Sequence, residues 1–160
     1  MKTEPSPSGA FRTLSQPAIV VQKVSACLSV ANLDETASWY ERELGFRTVR
    51  SMHFALQSPE YSARVAFLQA AGGRLELLED PLFIAVRRPN PPRHAAMQGM
   101  SQLALYVEDL DAAVKQLQRR GIPLVMEPAT VEELGIRACF IRDNEGNLIE
   151  LLQDLDAPTA

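Results

Sequence analysis

The chain has little from which to build a redox or zinc centre. Two cysteines, Cys27 and Cys139, and two histidines, His53 and His94, are spread over 160 residues without a CxxC spacing or a Cys/His cluster. That excludes a zinc knuckle or a dithiol motif, and both thiols read as buried strand residues. Long hydrophobic runs are also missing: none approaches the roughly 20 residues of a membrane-spanning helix, the stretch Ala18 to Val21 being typical. Positive charge is not in excess either. With 16 Lys and Arg against 20 Asp and Glu, the net charge is −4, which lacks the basic face that binds phosphate backbones, so nucleic acid is not the expected partner. The opening Met1 to Ser8 carries Pro5, Pro7 and one lysine but no apolar core, so it does not read as a secretory signal, and the expected location is the cytoplasm.

What is present is an ordinary globular composition, 46% hydrophobic and 22% charged, at the length of one domain. The first 17 residues hold three prolines among Ser, Gly and Thr, and residues 1–22 read as a flexible extension. From Val24 apolar and polar residues alternate at the strand period as far as Val30. Asn32 and Asp34 then offer capping oxygens, Leu33, Ala37, Tyr40 and Leu44 recur at helical spacing, and Gly45 supplies a helix-ending residue. Extended segments follow near Phe46 to Leu56, Arg64 to Ala70 and Arg74 to Leu78, punctuated by Ser58-Pro59 and by Gly72-Gly73, which fits a tight hairpin. Residues 81–99, rich in Pro and Arg, read as a linker.

After the linker the order recurs. A strand at Gln102 to Val107 leads to a helix opened by Asp109, with Leu110, Ala113, Val114 and Leu117 on one face and Gly121 at its end. Extended segments near Ile122 to Met126, Arg137 to Ile141 and Leu148 to Leu152 close the second half, with Glu127 to Gly135 as a loop long enough to close over a ligand. Val-Ala-Asn-Leu-Asp at 30–34 matches Val-Glu-Asp-Leu-Asp at 107–111 with a shift of 77, and Leu-Glu-Leu-Leu at 75–78 matches Ile-Glu-Leu-Leu at 149–152 with a shift of 74. Two matches in one order indicate duplication of a βαβββ unit. The expected domain is 23–154, composed of unit 23–80, linker 81–99 and unit 100–154, with 155–160 as a tail.

The string Ser25-Ala-Cys-Leu-Ser-Val-Ala-Asn-Leu-Asp, Trp39-Tyr40 and Leu44-Gly45-Phe46 resembles the opening of vicinal oxygen chelate proteins, the glyoxalase, bleomycin-resistance and dioxygenase superfamily. The closing Phe140-Ile-Arg-Asp143-Asn-Glu-Gly146-Asn-Leu-Ile-Glu150-Leu resembles the family's Phe-x-x-Asp-Pro-Asp-Gly-Asn-x-Ile-Glu-Leu. The resemblance spans Val24 to Gln153. It implies an α+β fold in which two tandem βαβββ units form a cupped eight-stranded mixed sheet with helices on the outer face, and often a homodimer.

Family metal sites take one residue from the first and one from the last strand of each unit, which here fall on Ser25, Glu76, Gln102 and Glu150. Strand alternation turns both glutamates away from the helix-packed face. Histidine is common at the two first-strand positions, so Ser25 and Gln102 depart from the pattern. Serine is a poor ligand and reads better as a substrate contact. The remaining oxygen set of Glu76, Gln102 and Glu150 implies a hard divalent ion such as Mg²⁺ or Mn²⁺, and the two-His-one-carboxylate site of iron oxygenases cannot be assembled.

Around this set, His53 is a candidate general base, Tyr106 shares a strand face with Gln102, and Arg87 and Arg88, with Arg93, could hold an anionic group. His94 reads as a solvated linker residue. The implied function is proton transfer next to a carbonyl or thioester, as in lactoylglutathione lyase, with Glu150 or Glu76 moving the proton. The segment Arg64-Val-Ala-Phe-Leu with Leu-Glu76-Leu-Leu-Glu is also somewhat similar to methylmalonyl-CoA epimerase. The alternatives are a bleomycin-resistance-like binder without catalysis and a metal-free tailoring enzyme of secondary metabolism.

Overall fold

The computed structural model describes residues 19, 21–55 and 62–155. Most of the 1–22 extension, the Ser58-Pro59 turn and the tail beyond Leu155 lie outside the described residues. The first unit runs β1 (Ala26–Val30), α1 (Leu33–Leu44), β2 (Arg47–Ala55), β3 (Ser62–Ala70) and β4 (Gly73–Glu79). The second runs β5 (Leu103–Tyr106), α2 (Leu110–Arg119), β6 (Met126–Val131), β7 (Ile136–Arg142) and β8 (Leu148–Asp154). Each unit is a mixed sheet in the order first, fourth, third, second strand, with the first strand parallel to the fourth. The eight strands are hydrogen-bonded as two sheets of four rather than as one continuous sheet.

Both helices start the same way. Asn32 accepts from the Glu35 N–H and Asp109 from the Ala112 N–H, each filling one donor that a helix start leaves unpaired. The first turn is tied to the sheet by contacts that are themselves duplicated. Glu79 accepts from the Leu33 N–H at 2.7 Å and Gln153 from the Leu110 N–H at 3.1 Å. Arg64 of β3 pairs with Asp34 at 2.7 Å, and Arg137 of β7 pairs with Asp111 at 2.8 Å. The repeat therefore extends to the side chains that orient each helix over its sheet.

Leu75 and Leu77 of β4 and Ile149 and Leu151 of β8 are buried against Leu33, Tyr40, Leu110 and Leu117 in a core common to both units. Each large apolar side chain so buried contributes about 1.5–3 kcal/mol. The units are also joined by polar contacts at the β7–β8 turn. Glu145 accepts from the backbone N–H groups of Ala31 and Asn32, both at 2.7 Å, and from the Thr36 hydroxyl at 3.1 Å. The buried Tyr40 hydroxyl donates to Asp143 at 3.1 Å. The end of β1 is thereby held against the start of β8.

Three expectations change. Glu127–Gly135 is not a loop: β6 occupies its first half and pairs with β7. Pro128 is tolerated because β6 is an edge strand, and it falls in the register shift between Met126 and Ala129. Residues Ile122–Val125, expected as strand, precede β6. The β3–β4 hairpin is closed by Ala71 and Gly72, since Gly73 already pairs with Ala70. The residue there with positive φ is Ala71, at 33°. Ala71→Gly relieves the Cβ clash and loses some chain entropy, so a net gain of about 0.5–1 kcal/mol is expected. A rise of a few degrees in the melting temperature would show it, and an unchanged or lower value would refute it.

Candidate active site

Register decides which side chains share a face. Glu76 stands across from Cys27 on one side and Phe67 on the other, opposite the core-facing Leu75 and Leu77. Glu150 stands across from Ala104 and Phe140, opposite Ile149 and Leu151. Both carboxylates are half-buried on the face away from the helices. Each is met by the polar residue of its own unit's first strand. The Ser25 hydroxyl donates to Glu76 at 2.9 Å, and the Gln102 amide nitrogen donates to Glu150 at 3.0 Å. These are equivalent pairs under the duplication, a neutral donor holding a carboxylate in each half.

A cavity of about 340 Å³ lies where the end of β1 meets the start of β5. Its walls are Cys27 and Ser29, Gln102 and Leu103, the 145–148 turn and linker residues 83–86. Neither glutamate lines it, but Gln102, which does, is bonded to Glu150, and Cys27, which does, is the cross-strand neighbour of Glu76. Each glutamate has a phenylalanine on one side, and on the other Glu150 has the small, exposed Ala104 where Glu76 has Cys27.

The other candidates divide. Tyr106 lies on the Glu150 side of β5, two residues beyond Ala104, and is 67% exposed. His53 does not join the set. The shift between Thr48 and Arg50 breaks the simple alternation along β2, and His53 pairs with Arg64, which faces Asp34 at the start of α1. It is an exposed residue of the helix-side face and is not placed to act with Glu76. Arg88 is not a free anion donor: it hydrogen-bonds the carbonyls of Met97 and Gln98 at 2.8 and 3.2 Å and shapes the linker. Arg87 and Arg93 are exposed. His94 was missed. Its ring packs on Phe140 at 5.2 Å, next to Glu150 across the strands, and its buried Nδ1 has no hydrogen-bond partner. The reason is that Arg142 reaches from β7 to the Arg88 carbonyl at 2.9 Å and the Asn90 side chain at 2.8 Å, drawing the linker over the second sheet. No local pattern encodes that contact.

The cysteines differ from each other. Cys139 is fully buried and burial pushes its thiol up to about 11. Cys27 is exposed, contrary to expectation, and its thiol is raised by partial burial and by Glu76. The thiolate is the reactive form. Titration with a thiol reagent at neutral pH should therefore modify Cys27 slowly and Cys139 only after unfolding. Two rapidly reacting thiols in the native protein would contradict this.

Among the described residues no three His, Cys, Asp or Glu side chains stand together as a metal centre requires. The donors also face the wrong way for a cation at Glu76, Gln102 and Glu150. Gln102 turns its nitrogen to Glu150 and its oxygen to the Ser101 hydroxyl, whereas a hard ion needs the amide oxygen beside the carboxylate. The expected Mg²⁺ or Mn²⁺ set does not fit this arrangement.

The fold is thus a duplicated βαβββ unit with a carboxylate held by a neutral donor in each half and a cavity where β1 and β5 meet. The description "Glyoxalase/Bleomycin resistance protein/Dioxygenase superfamily" matches residues 22–151, and the chain belongs to that family. Among solved structures it is similar to a glyoxalase family protein from Bacillus cereus, with 25% identity, 88% of this chain and 99% of that one covered, and a TM-score of 0.70. A glyoxalase family protein from Enterococcus faecalis is also 25% identical, over 83% and 96% of the two chains, with a TM-score of 0.62. The trypanothione-dependent glyoxalase I of Leishmania major, at 19% identity over 84% and 88% of the chains and a TM-score of 0.58, shares the fold. No curated protein matches the chain.

Proposed function

We propose that the chain is an enzyme that moves a proton on the carbon next to a small molecule's carbonyl or thioester. The observation that carries this is the Gln102–Glu150 pair, whose glutamine lines the cavity. A glutamine nitrogen has two hydrogens. One holds Glu150, and the other is free to polarise a substrate carbonyl. Glu150 then takes the α-proton: the C–H bond breaks, the carboxylate gains the proton, and the electron pair moves onto the oxygen as an enolate. Return of the proton to carbon completes an isomerisation or epimerisation. Stabilising the developing oxyanion by such a donor is the larger electrostatic contribution.

Glu76 with Ser25 is the equivalent pair and contacts the substrate or serves as the second proton carrier. A homodimer and a cytoplasmic location belong to this reading. Large apolar side chains at Val24, Leu82 and Tyr106 are left exposed and would suit a second copy, and among the described residues no helix is long and apolar enough to cross a membrane. The second reading, a binder without catalysis, is favoured by the neutral Ser25 at a usual ligand position.

The test is deuterium exchange at the α-carbon in D₂O, followed by NMR, with the methylglyoxal–glutathione hemithioacetal, methylmalonyl-CoA and simple ketones as probes. Exchange above the buffer rate supports the enzyme, and saturable binding without exchange supports the binder. Because the donors do not fit a metal, treatment with EDTA followed by Mn²⁺ is expected to leave melting temperature and exchange rate unchanged. A melting temperature that rises with Mn²⁺ concentration would restore the metal.

A further inference from the structure

We infer that the cavity selects an uncharged, largely apolar carbonyl compound and rejects anions, glutathione adducts and coenzyme A thioesters included. The inference deepens the proposed function and rests on it for placing the carbonyl at Gln102. Its basis is the state of the charges in the wall.

Arg88 and Glu145 are the charged residues that line the cavity. Arg88 is committed to the carbonyls of Met97, Gln98 and, at 3.4 Å, His94, so it cannot turn to an anion without releasing the 94–98 segment. The neighbouring guanidinium, Arg142, is committed in the same way to the carbonyls of Gly146 and Arg88 and to Asn90. Glu145 is satisfied by two backbone N–H groups and the Thr36 hydroxyl, yet its negative charge stays in the wall. Glu76 and Glu150 do not line the cavity: the first is the cross-strand neighbour of the lining residue Cys27, and the second accepts from the lining residue Gln102. An anion entering here meets the Glu145 carboxylate and no uncommitted cation among the described lining residues. A like charge brought against that wall is costly where protein replaces water.

One wall of the cavity, from the linker, favours apolar matter, while Ser29, Ser101 and Asn147 lie among the other lining residues. Phe83, Ile84, Val86 and Met100 line the cavity and are largely exposed, so a ligand that covers them gains about 25 cal/mol for each Å² removed from water. At about 340 Å³ the space is at the small end of small-molecule sites, too small for a polypeptide or for an entire coenzyme A conjugate. An apolar linker wall, one polarising amide and a wall whose net free charge is the Glu145 carboxylate together specify a neutral ketone or aldehyde.

Calorimetric titration with 2-octanone, S-octylglutathione and octanoyl-CoA at low salt tests this, because the three share an eight-carbon chain and differ in charge. The ketone is expected to bind at least about tenfold more tightly than either anion. Phe83→Asp, at an exposed position that does not endanger folding, is expected to weaken the ketone roughly tenfold. Glu150→Gln, which silences proton transfer, is expected to keep the same ranking. The ligand class and the catalytic reading therefore fail separately: an inverted ranking overturns the first, and absent exchange with the ranking intact overturns the second. Equal or tighter binding of either anion, no measurable binding of the ketone, or unchanged binding by Phe83→Asp overturns the inference.

Discussion

Glu150→Gln is expected to lower the α-proton exchange rate by about two to four orders of magnitude, the range by which positioned general bases accelerate proton transfer. The amide is nearly isosteric and can still pair with Gln102, so the cavity and substrate affinity should persist and the loss should fall on kcat rather than KM. Glu76→Gln is expected to cost less. Glu76 is held by the Ser25 hydroxyl, whose single hydrogen is used in that bond, so this half offers no spare donor for a carbonyl. His53→Ala should change neither parameter, since His53 lies on the opposite face of its sheet, paired with Arg64. Measuring all three variants by exchange in D₂O separates the roles. A larger defect for Glu76→Gln would transfer the base to the first unit, and an unaffected Glu150→Gln would remove the mechanism.

The largest effect on stability is expected from Asp143→Ala. Asp143 is 6% exposed and accepts from the Tyr40 hydroxyl at 3.1 Å, the Glu145 and Asn147 N–H groups at 3.0 and 2.8 Å, and the Asn147 side chain at 2.9 Å. Removing the carboxylate strands several part-buried donors at once and loosens the turn that presents Glu145 to α1. A cost of about 3 kcal/mol follows, or a fall in melting temperature on the order of 10 °C for a domain of this size. Tyr40→Phe keeps the ring in the core and deletes one hydrogen bond, so about 1 kcal/mol is expected. The hydroxyl's titration is pushed far up by burial first and by Asp143 second, consistent with a proton retained between the two units. Equal effects of the two variants, or an Asp143→Ala melt within about 2 °C of the wild type, would show that the turn folds without its carboxylate.

The motif most readable in the sequence thus has a structural duty. Asp143, Glu145, Gly146 and Asn147 belong to the closing string that resembles the family most closely. Their contacts build a turn and join the units, while Glu150, a few residues on, carries the candidate chemistry. Gly146 sits at φ 88°, where any side chain would be strained. A string can therefore identify a family through its folding and leave the reaction open.

Elements with local causes were legible. The limits of α1, Leu33 to Leu44, follow from Asn32 and Gly45, and the strands expected around Glu76 and Glu150 match β4 and β8 to within two residues at each end. The family resemblance implied that Ser25, Glu76, Gln102 and Glu150 occupy equivalent site positions, but the hydrogen bonds of Ser25 to Glu76 and of Gln102 to Glu150 came only with the structure. The features that escaped depend on contacts distant along the chain. Edge position lets β6 form through Pro128, a bulge at residue 49 reverses the side on which His53 stands, and Arg142 draws the linker across the second sheet with His94 upon Phe140.

The amino-acid sequence by itself determined the duplication, the order of elements, and the side of the strand on which each glutamate stands, because these depend on spacing and on residues a few positions apart. Tertiary structure decided the rest: which neutral donor orientation each carboxylate meets, that Arg88 and Arg142 spend their charge on linker carbonyls, and that the cavity opens where β1 meets the 145–148 turn. Periodicity fixes a side chain's direction relative to its own backbone, but only the packing of remote segments determines what it faces.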